Sequence, residues 1–349
     1  MTMRIAPYPT PLMAVPPSFS IYHPLAIMPG WCKRSPWSFA TTRHNRRQQV
    51  SLMTNTIYRR DFLRSTGALA AGIGLTGPRV LWSADQLAAG APHAEKLGWR
   101  LGCQAYSFRL FTFYDAIEKT KSLGLRYIEM YPGQSLNEEK PDVKTGESMS
   151  PDARKETLDR LTDAGITLAC FGVTGLSKDE AASRRTFEFA KEMGIETIVS
   201  EPPADAFDLL SRLCDEYGIN VALHNHPKPS AYWNPDTVLE RVEGRSRRIG
   251  ACADTGHWLR SGINPVEAVK KLEGRIVSFH FKDLNRAEPG AHDVPWGTGV
   301  ADVDAILTEV HRQGFRGVFS IEYEHNWEGS LPEIAESVKY FDKVASQWA

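Results

Sequence analysis

From Trp99 onward, short apolar runs alternate with longer stretches whose apolar residues recur every three or four positions. The short runs cover residues 101–107, 127–131, 167–173, 197–200, 220–223, 250–253, 276–281 and 318–323. Their length and apolar character predict buried strands. The stretches 114–123, 151–164, 179–193, 204–217, 235–242, 265–272, 303–313 and 332–344 predict helices. Pro151 opens one of them, where its fixed φ suits a first helical position. Gly124, Gly165, Gly194, Gly218, Gly274 and Gly314 follow helical stretches and supply a left-handed stop. Eight strand–helix repeats with little filler predict an α/β fold, a closed parallel (β/α)8 TIM barrel, as a single domain over 92–349. No glycine-rich nucleotide loop follows the first strand, which counts against an open doubly wound sheet.

A barrel of this type needs roughly 250 residues, so a chain of 349 leaves room for a leader. Residues 1–52 are rich in proline, aromatics and scattered arginines without period, and are expected to be a disordered or non-native extension. Met53 then opens a second start-like segment, 53–91. In it Arg59 and Arg60 precede Phe62-Leu63 and a mildly apolar Gly/Ala stretch from Gly67 to Gly77, and Ala89-Gly90-Ala91 offers a small-x-small cleavage site. The segment resembles a twin-arginine signal peptide, which implies the twin-arginine export machinery as a partner and a periplasmic or otherwise exported protein.

Hydrophobic residues at 42% and charged ones at 24% are those of a globular protein, and no apolar run is long enough to predict a stable membrane span. The charge is uneven. Residues 1–91 hold ten basic and two acidic residues, leaving 31 against 40 in the rest, a formal −9. That surface repels phosphate backbones and argues against a nucleic-acid partner. The cysteines include no Cys-x-x-Cys pair, and Cys103, Cys170 and Cys252 sit in apolar runs as small core residues.

The chemistry lies where the strands end, which in such a barrel is the active-site face. Strand two ends in Glu129 and strand four in Glu201. Strand five ends in His224-Asn225-His226, and strand six in Asp254 with His257 three residues on. Strand seven ends in His280, Lys282 and Asp283, and strand eight in Glu322, Glu324 and His325. Buried carboxylates and imidazoles are costly unless paired or metal-bound. A mixed set suits one divalent transition metal, Mn, Zn, Co or Fe, rather than calcium. Trp233 and Trp258, with Tyr232, could stack on a sugar face, and Lys282 could hold a hydroxyl, carbonyl or carboxylate. The Gly/Pro-rich segment 288–299, carrying His292, Asp293 and Trp296, is a candidate lid and substrate contact.

Residues 101–341, with their Asp-Thr-Gly-His, His-Phe-Lys-Asp and Ile-Glu-Tyr-Glu motifs, resemble the xylose isomerase-like TIM barrel superfamily of sugar phosphate isomerases and epimerases. The resemblance implies a metal held by Asp254, His280 and Glu322. His224 stands where many members carry the strand-five glutamate. It also implies that His257 hydrogen-bonds a sugar hydroxyl; Glu129, at the end of strand two, is a candidate substrate contact by position. Family epimerases use two metal-bound carboxylates, one on each substrate face, and the strand-five one is missing here. Glu322 remains as one candidate base. The second acid/base falls to Glu201, then to Glu129 or His226.

The expected function is therefore a divalent-metal-dependent isomerase or epimerase working through an enediolate on a small carbohydrate. An alternative is a lyase or hydratase acting on 3-keto-glycosides, favoured by export and by the missing carboxylate. A third is a non-catalytic sugar-binding barrel, which the intact Asp254, His280 and Glu322 set opposes. The superfamily's abasic-site endonucleases are disfavoured by the −9 charge.

Overall fold

The structure, a computed structural model, describes residues 90–349; the expected extension over 1–52 and the export segment up to residue 89 lie outside the described residues. The described residues start two residues before the expected barrel boundary. Gly90 donates its N–H to Leu123 O at 3.1 Å and Ala91 is buried in the core, just ahead of helix α1 (Pro92–Lys96).

Eight parallel strands close into a barrel in chain order: β1 (Trp99–Gln104), β2 (Tyr127–Met130), β3 (Thr167–Thr174), β4 (Thr197–Ser200), β5 (Asn220–His224), β6 (Ile249–Asp254), β7 (Ile276–Phe281) and β8 (Gly317–Ile321). The connecting helices are α2 (Phe113–Ser122), α3 (Pro151–Ala164), α4 (Glu180–Glu192), α5 (Phe207–Tyr217), α6 (Pro235–Val242), α7 (Thr255–Arg260), α8 (Pro265–Lys271), α9 (Val303–Arg312) and α10 (Leu331–Ala345). Local chemistry sets their ends. Thr112 and Asp115 form a reciprocal capping box on α2. Gly165 and Gly218 close α3 and α5 at φ 69° and 71°. Strand one is shorter than expected, because Ala105–Phe108 turns into a 3-10 helix capped by Gln104.

Period-two alternation along the strands creates two cores. Cys170, Val199, Ala222, Cys252 and Val318 form a small-residue interior cluster, joined by Ala169 where the β2–β3 register shifts between Leu168 and Cys170. Phe171, Leu223 and Ala253 face the helices in the larger outer core. Cys103, Cys170, Cys214 and Cys252 are buried free thiols. The strands also approach closely. A Cβ on Gly250 would stand 2.0 Å from Arg275 O and 2.8 Å from Val277 Cγ2. Gly250→Ala should therefore destabilise the barrel by about 1–3 kcal/mol, read from denaturant unfolding, and an unchanged midpoint would show that the β6–β7 seam yields. Among the described residues no helix is long and apolar enough to cross a membrane.

Candidate metal and acid–base site

The C-terminal ends of β5, β6 and β8 bring His224, Asp254 and Glu322 together, with His257 supplied by α7. One donor atom from each lies within 4.8 Å of the others, and all four residues are buried. Asp254 does two jobs. Its Oδ1 accepts the His257 N–H at 2.6 Å and caps α7, which leaves Oδ2 pointing at the imidazoles, 3.6 Å from both His224 Nε2 and His257 Nε2. Asn225 fixes this backbone: its Oδ1 accepts from Asp254 N at 2.8 Å and its Nδ2 donates to Asp254 O at 3.0 Å. Among the described residues His224 Nε2 is buried without a hydrogen-bond partner, and Asp254 Oδ2 faces it with the Lys282 ammonium 3.0 Å away. A buried ring nitrogen without a partner, His224 Nε2, with two carboxylates and a second imidazole converging beside it, fits a divalent metal.

His280 borders this set. Its Nδ1 lies 3.1 Å from Glu322 Oε2 and its Nε2 lies 2.9 Å from Glu129 Oε1. Both ring nitrogens are thus engaged by carboxylates, and the tight donor group contains His257 where the family pattern puts His280. Glu129 is fully buried, accepts from Ser320 Oγ at 2.6 Å, and orients the His280 ring from below instead of meeting substrate.

Lys282 also departs from expectation. Its ammonium is completely buried, 2.7 Å from Glu322 Oε2, 2.9 Å from Glu324 Oε2 and 3.0 Å from Asp254 Oδ2. It is committed to neutralising carboxylates, which is the only way so dry an ammonium stays charged. Burial alone would lower its pKa, but these partners raise it well above the usual lysine range. The effect is mutual for Glu322. Burial would raise its pKa, yet Lys282 and His280 hold it well below the carboxylate range. Glu322 is therefore a good ligand and a weak proton acceptor.

The residue chosen from sequence as second base, Glu201, is an anchor. Its Oε1 lies 2.5 Å from His226 Nδ1 and 3.2 Å from His224 Nδ1, and also accepts the His226 N–H at 3.1 Å; Ser230 Oγ donates to its Oε2 at 3.1 Å. Burial pushes its carboxyl up, but the hydrogen bonds from His224 and His226 outweigh that and lower it. His226 is about half exposed, with 48% of its side chain accessible, and lines a cavity of about 260 Å³ together with Gln104, Tyr106, Tyr131, Glu322 and Glu324.

The aromatic walls of that cavity are Tyr106 and Tyr131, whose ring centroids are 5.1 Å apart, backed by Trp327 at 5.8 Å from Tyr106. The tryptophans proposed from sequence lie elsewhere. Trp258 is sealed in the core, and Trp296 packs on Phe281 and Phe341 with centroids 4.8 and 5.6 Å away. Trp233 stacks under Lys228 and lines a separate hollow with Pro235 and Ile263. Tyr232 is buried and donates to Pro202 O. The 288–299 segment is pinned: Asp283 accepts the N–H groups of Gly297, Gly299 and Ala301 at 2.9 Å, which opposes lid motion. Arg260 ties the same segment to the site through Asp293 at 3.2 Å, Glu324 at 2.8 Å and His257 Nδ1 at 3.0 Å. Ser107 braces Glu322 from both sides, donating to Ile321 O at 2.9 Å and accepting from Tyr323 N at 2.8 Å. Tyr106, Tyr131 and Trp327 were visible beside strand ends one, two and eight, where position alone marks a mouth residue.

The family described as xylose isomerase-like TIM barrel matches residues 117–344. A solved protein of Parabacteroides distasonis ATCC 8503 is 32% identical, covering 70% of this chain and 99% of that one, with a TM-score of 0.59. A xylose isomerase-like TIM barrel protein from Mycobacterium smegmatis, solved in complex with magnesium, is 16% identical over 71% of this chain and 97% of its own, with a TM-score of 0.57, a likeness of fold. An inosose dehydratase of Bacillus thuringiensis (strain Al Hakam) is 26% identical over 153 residues, 39% of this chain; the chain spans about half, 49%, of the length of this curated relative. Closed barrel, strand-end donors and sequence match agree, and the chain belongs to the xylose isomerase-like TIM barrel family.

Proposed function

We propose that this chain is a metal-dependent carbon–oxygen lyase that removes water or an alcohol from a polyhydroxy ketone, beginning as an isomerase does, with loss of a proton next to the carbonyl. The observation that carries the reading is His226, held by Glu201, lining one cavity with Glu322. With Nδ1–H donated to Glu201, His226 keeps Nε2 as a lone-pair acceptor. His224, Asp254 and Glu322, with His257 or His280, would hold a divalent transition metal that polarises the ketone oxygen and stabilises the enolate charge. His226 Nε2 takes the proton from the adjacent carbon. The C–H electron pair forms a double bond, the C–O bond one carbon further on breaks, and the leaving oxygen takes the proton from the imidazolium. Glu201 steadies that imidazolium.

A single imidazole on one side serves elimination or a proton shift between neighbouring carbons. Epimerisation needs a second group on the opposite face, and Glu322 is bound up with Lys282 and His280. The inosose dehydratase relative supports elimination. Among the described residues the cavity lining includes no lysine or arginine to receive a phosphate, which supports a neutral sugar.

The test is turnover in D₂O by NMR, with metal-supplemented protein and a panel of ketoses, inososes and 3-keto-glycosides. New alkene signals or released alcohol are expected. Deuterium at the carbon beside the ketone without elimination would replace the lyase with an isomerase, and an unchanged panel would remove both. We also propose that the leader directs twin-arginine export. Arg59→Lys with Arg60→Lys should retain folded protein in the cytoplasm, and normal export would overturn this.

A further inference from the structure

Among the described residues the cavity at the mouth has one charged lining group that neither the metal set nor the Glu201–His226 pair uses. Glu324 lines it with 23% of its side chain accessible, and it lies outside the converging donor group of His224, Asp254, His257 and Glu322. Neighbouring polar groups are already engaged. Gln104 gives its Nε2 to Gly172 O at 2.9 Å and takes the Tyr106 N–H on its Oε1 at 3.1 Å. Tyr106 Oη accepts from Arg109 at 2.8 Å. Glu322 turns to Lys282 and His280.

The Glu324 carboxylate is held through one oxygen. Its Oε2 takes the Lys282 ammonium at 2.9 Å and Arg260 Nη1 at 2.8 Å. Arg260 is fixed in turn, because the same Nη1 donates to His257 Nδ1 at 3.0 Å and its Nη2 to Asp293 Oδ2 at 3.2 Å. Among the described residues both hydrogen bonds to this carboxylate fall on Oε2 and none on Oε1. An ionised carboxylate offers lone pairs on both oxygens, so Oε1 keeps its full accepting capacity at a cavity wall. Lys282 also bonds Glu322 Oε2 at 2.7 Å, so the two carboxylates share one ammonium and one small ligand can touch both.

The surrounding charge selects the donor. Two cations on Oε2 already balance Glu324, and an ammonium ligand would meet them at short range. A phosphate or carboxylate ligand would meet Glu324 and Glu322 themselves. A neutral hydroxyl escapes both repulsions and still gains a hydrogen bond to a charged acceptor.

We infer that Glu324 is a specificity-determining residue whose Oε1 accepts a hydrogen bond from a ring hydroxyl of the substrate, on a carbon that does not react. The inference rests on the proposed substrate class, a neutral polyhydroxy ketone, and not on whether the reaction is elimination or isomerisation. A ligand without that hydroxyl would cover the carboxylate oxygen and leave it unpaired, which is what makes such a group selective.

The test is binding to the full, metal-supplemented protein, followed by NMR titration. The probes are 1,5-anhydro-D-glucitol, a ring polyol with no ketone to react, and each of its monodeoxy and monodeoxyfluoro forms. One deoxy form should bind the wild type on the order of 10–100-fold more weakly than the parent, the usual worth of a hydrogen bond to a charged group. The fluoro form at the same carbon, which can accept but not donate, should lose as much. That difference should disappear in Glu324→Ala, and shrink in the isosteric Glu324→Gln, where Lys282 and Arg260 hold the amide oxygen and turn its N–H₂ to the cavity. Melting temperatures check that each variant folds, and either one alone decides. A wild type that binds no probe, or all of them equally, overturns the inference. So does a difference that persists in a folded variant, or a variant that weakens every probe alike, the mark of a structural role. Turnover of ketoses is scored apart from this. Selective binding without elimination upholds Glu324 and removes the lyase reading, and elimination without selective binding does the reverse.

Discussion

Asp254→Asn should empty the metal site and stop turnover. The amide oxygen can still cap α7 through the His257 N–H, so the fold should survive. The other carboxylate oxygen is the one aimed at His224 Nε2 and His257 Nε2, and an amide there either presents N–H₂ to the imidazoles or ligates as a weak neutral oxygen. The change also takes one negative partner from the buried Lys282 ammonium, 3.0 Å away, which then competes more strongly for Glu322. Metal affinity should fall by more than the roughly 10–100-fold that changes outside the ligand set produce. Metal analysis after gel filtration reads the occupancy directly. A variant that keeps about one equivalent of metal per chain would move the site away from Asp254. Parallel His257→Ala and His280→Ala proteins decide which imidazole completes the set, since the larger loss of metal marks the ligand.

His226→Ala should leave the metal in place and lower kcat by about 10²–10⁴-fold, the usual worth of a positioned acid/base. The imidazole is half exposed and its ring lies 4.3 Å from that of buried His224, so metal content is measured beside kcat to separate a chemical loss from a lost ligand. Glu201→Gln is the more discriminating change. An amide can donate to Nδ1 and so favour the tautomer with its proton on Nε2, leaving the wrong nitrogen facing the substrate. It should therefore depress kcat without a matching rise in KM. Because Glu201 also touches His224 Nδ1 at 3.2 Å, metal content must be measured beside the kinetics. A Glu201→Gln enzyme with normal kcat and full metal would show that neither the pair nor its tautomer matters. His224→Glu is expected to retain metal, and an appearance of epimerised ketose in that variant would identify the missing strand-five carboxylate as what separates elimination from epimerisation.

The strand order and the eight-fold repeat were legible because each strand announces itself locally. Runs such as Ile276–Phe281 are short, apolar and bounded by turn residues, and six helix stops carry a glycine with positive φ. His224, Asp254 and Glu322 were legible for the same reason. A polar residue placed just at a strand end points to the barrel mouth whatever the rest of the chain does. The period-two rule also separates Cys170 and Cys252, inside the barrel, from Phe171, which faces the helices.

Other features depend on which atoms meet across strands and loops far apart in sequence. Lys282 reads as a substrate contact in the line of residues, but its stem lies between β6 and β8, and the ammonium ends among Asp254, Glu322 and Glu324. Glu201 reads as a free base until the β4–β5 register, Ser200 beside Leu223, brings the two imidazoles that follow onto its carboxylate. Tryptophans that looked exposed in the loops are buried: Trp296 because Asp283 folds the loop back onto Phe281, and Trp258 because α7 starts at once after Asp254. The sequence by itself determined the barrel, its register of polar strand ends and the kind of donor atom at each. Only the tertiary structure decided which of those groups hold the site and which face its mouth, because side-chain direction in loops and the pairing of buried charges depend on distances between β2, β4, β6, β7 and β8 that no local pattern encodes.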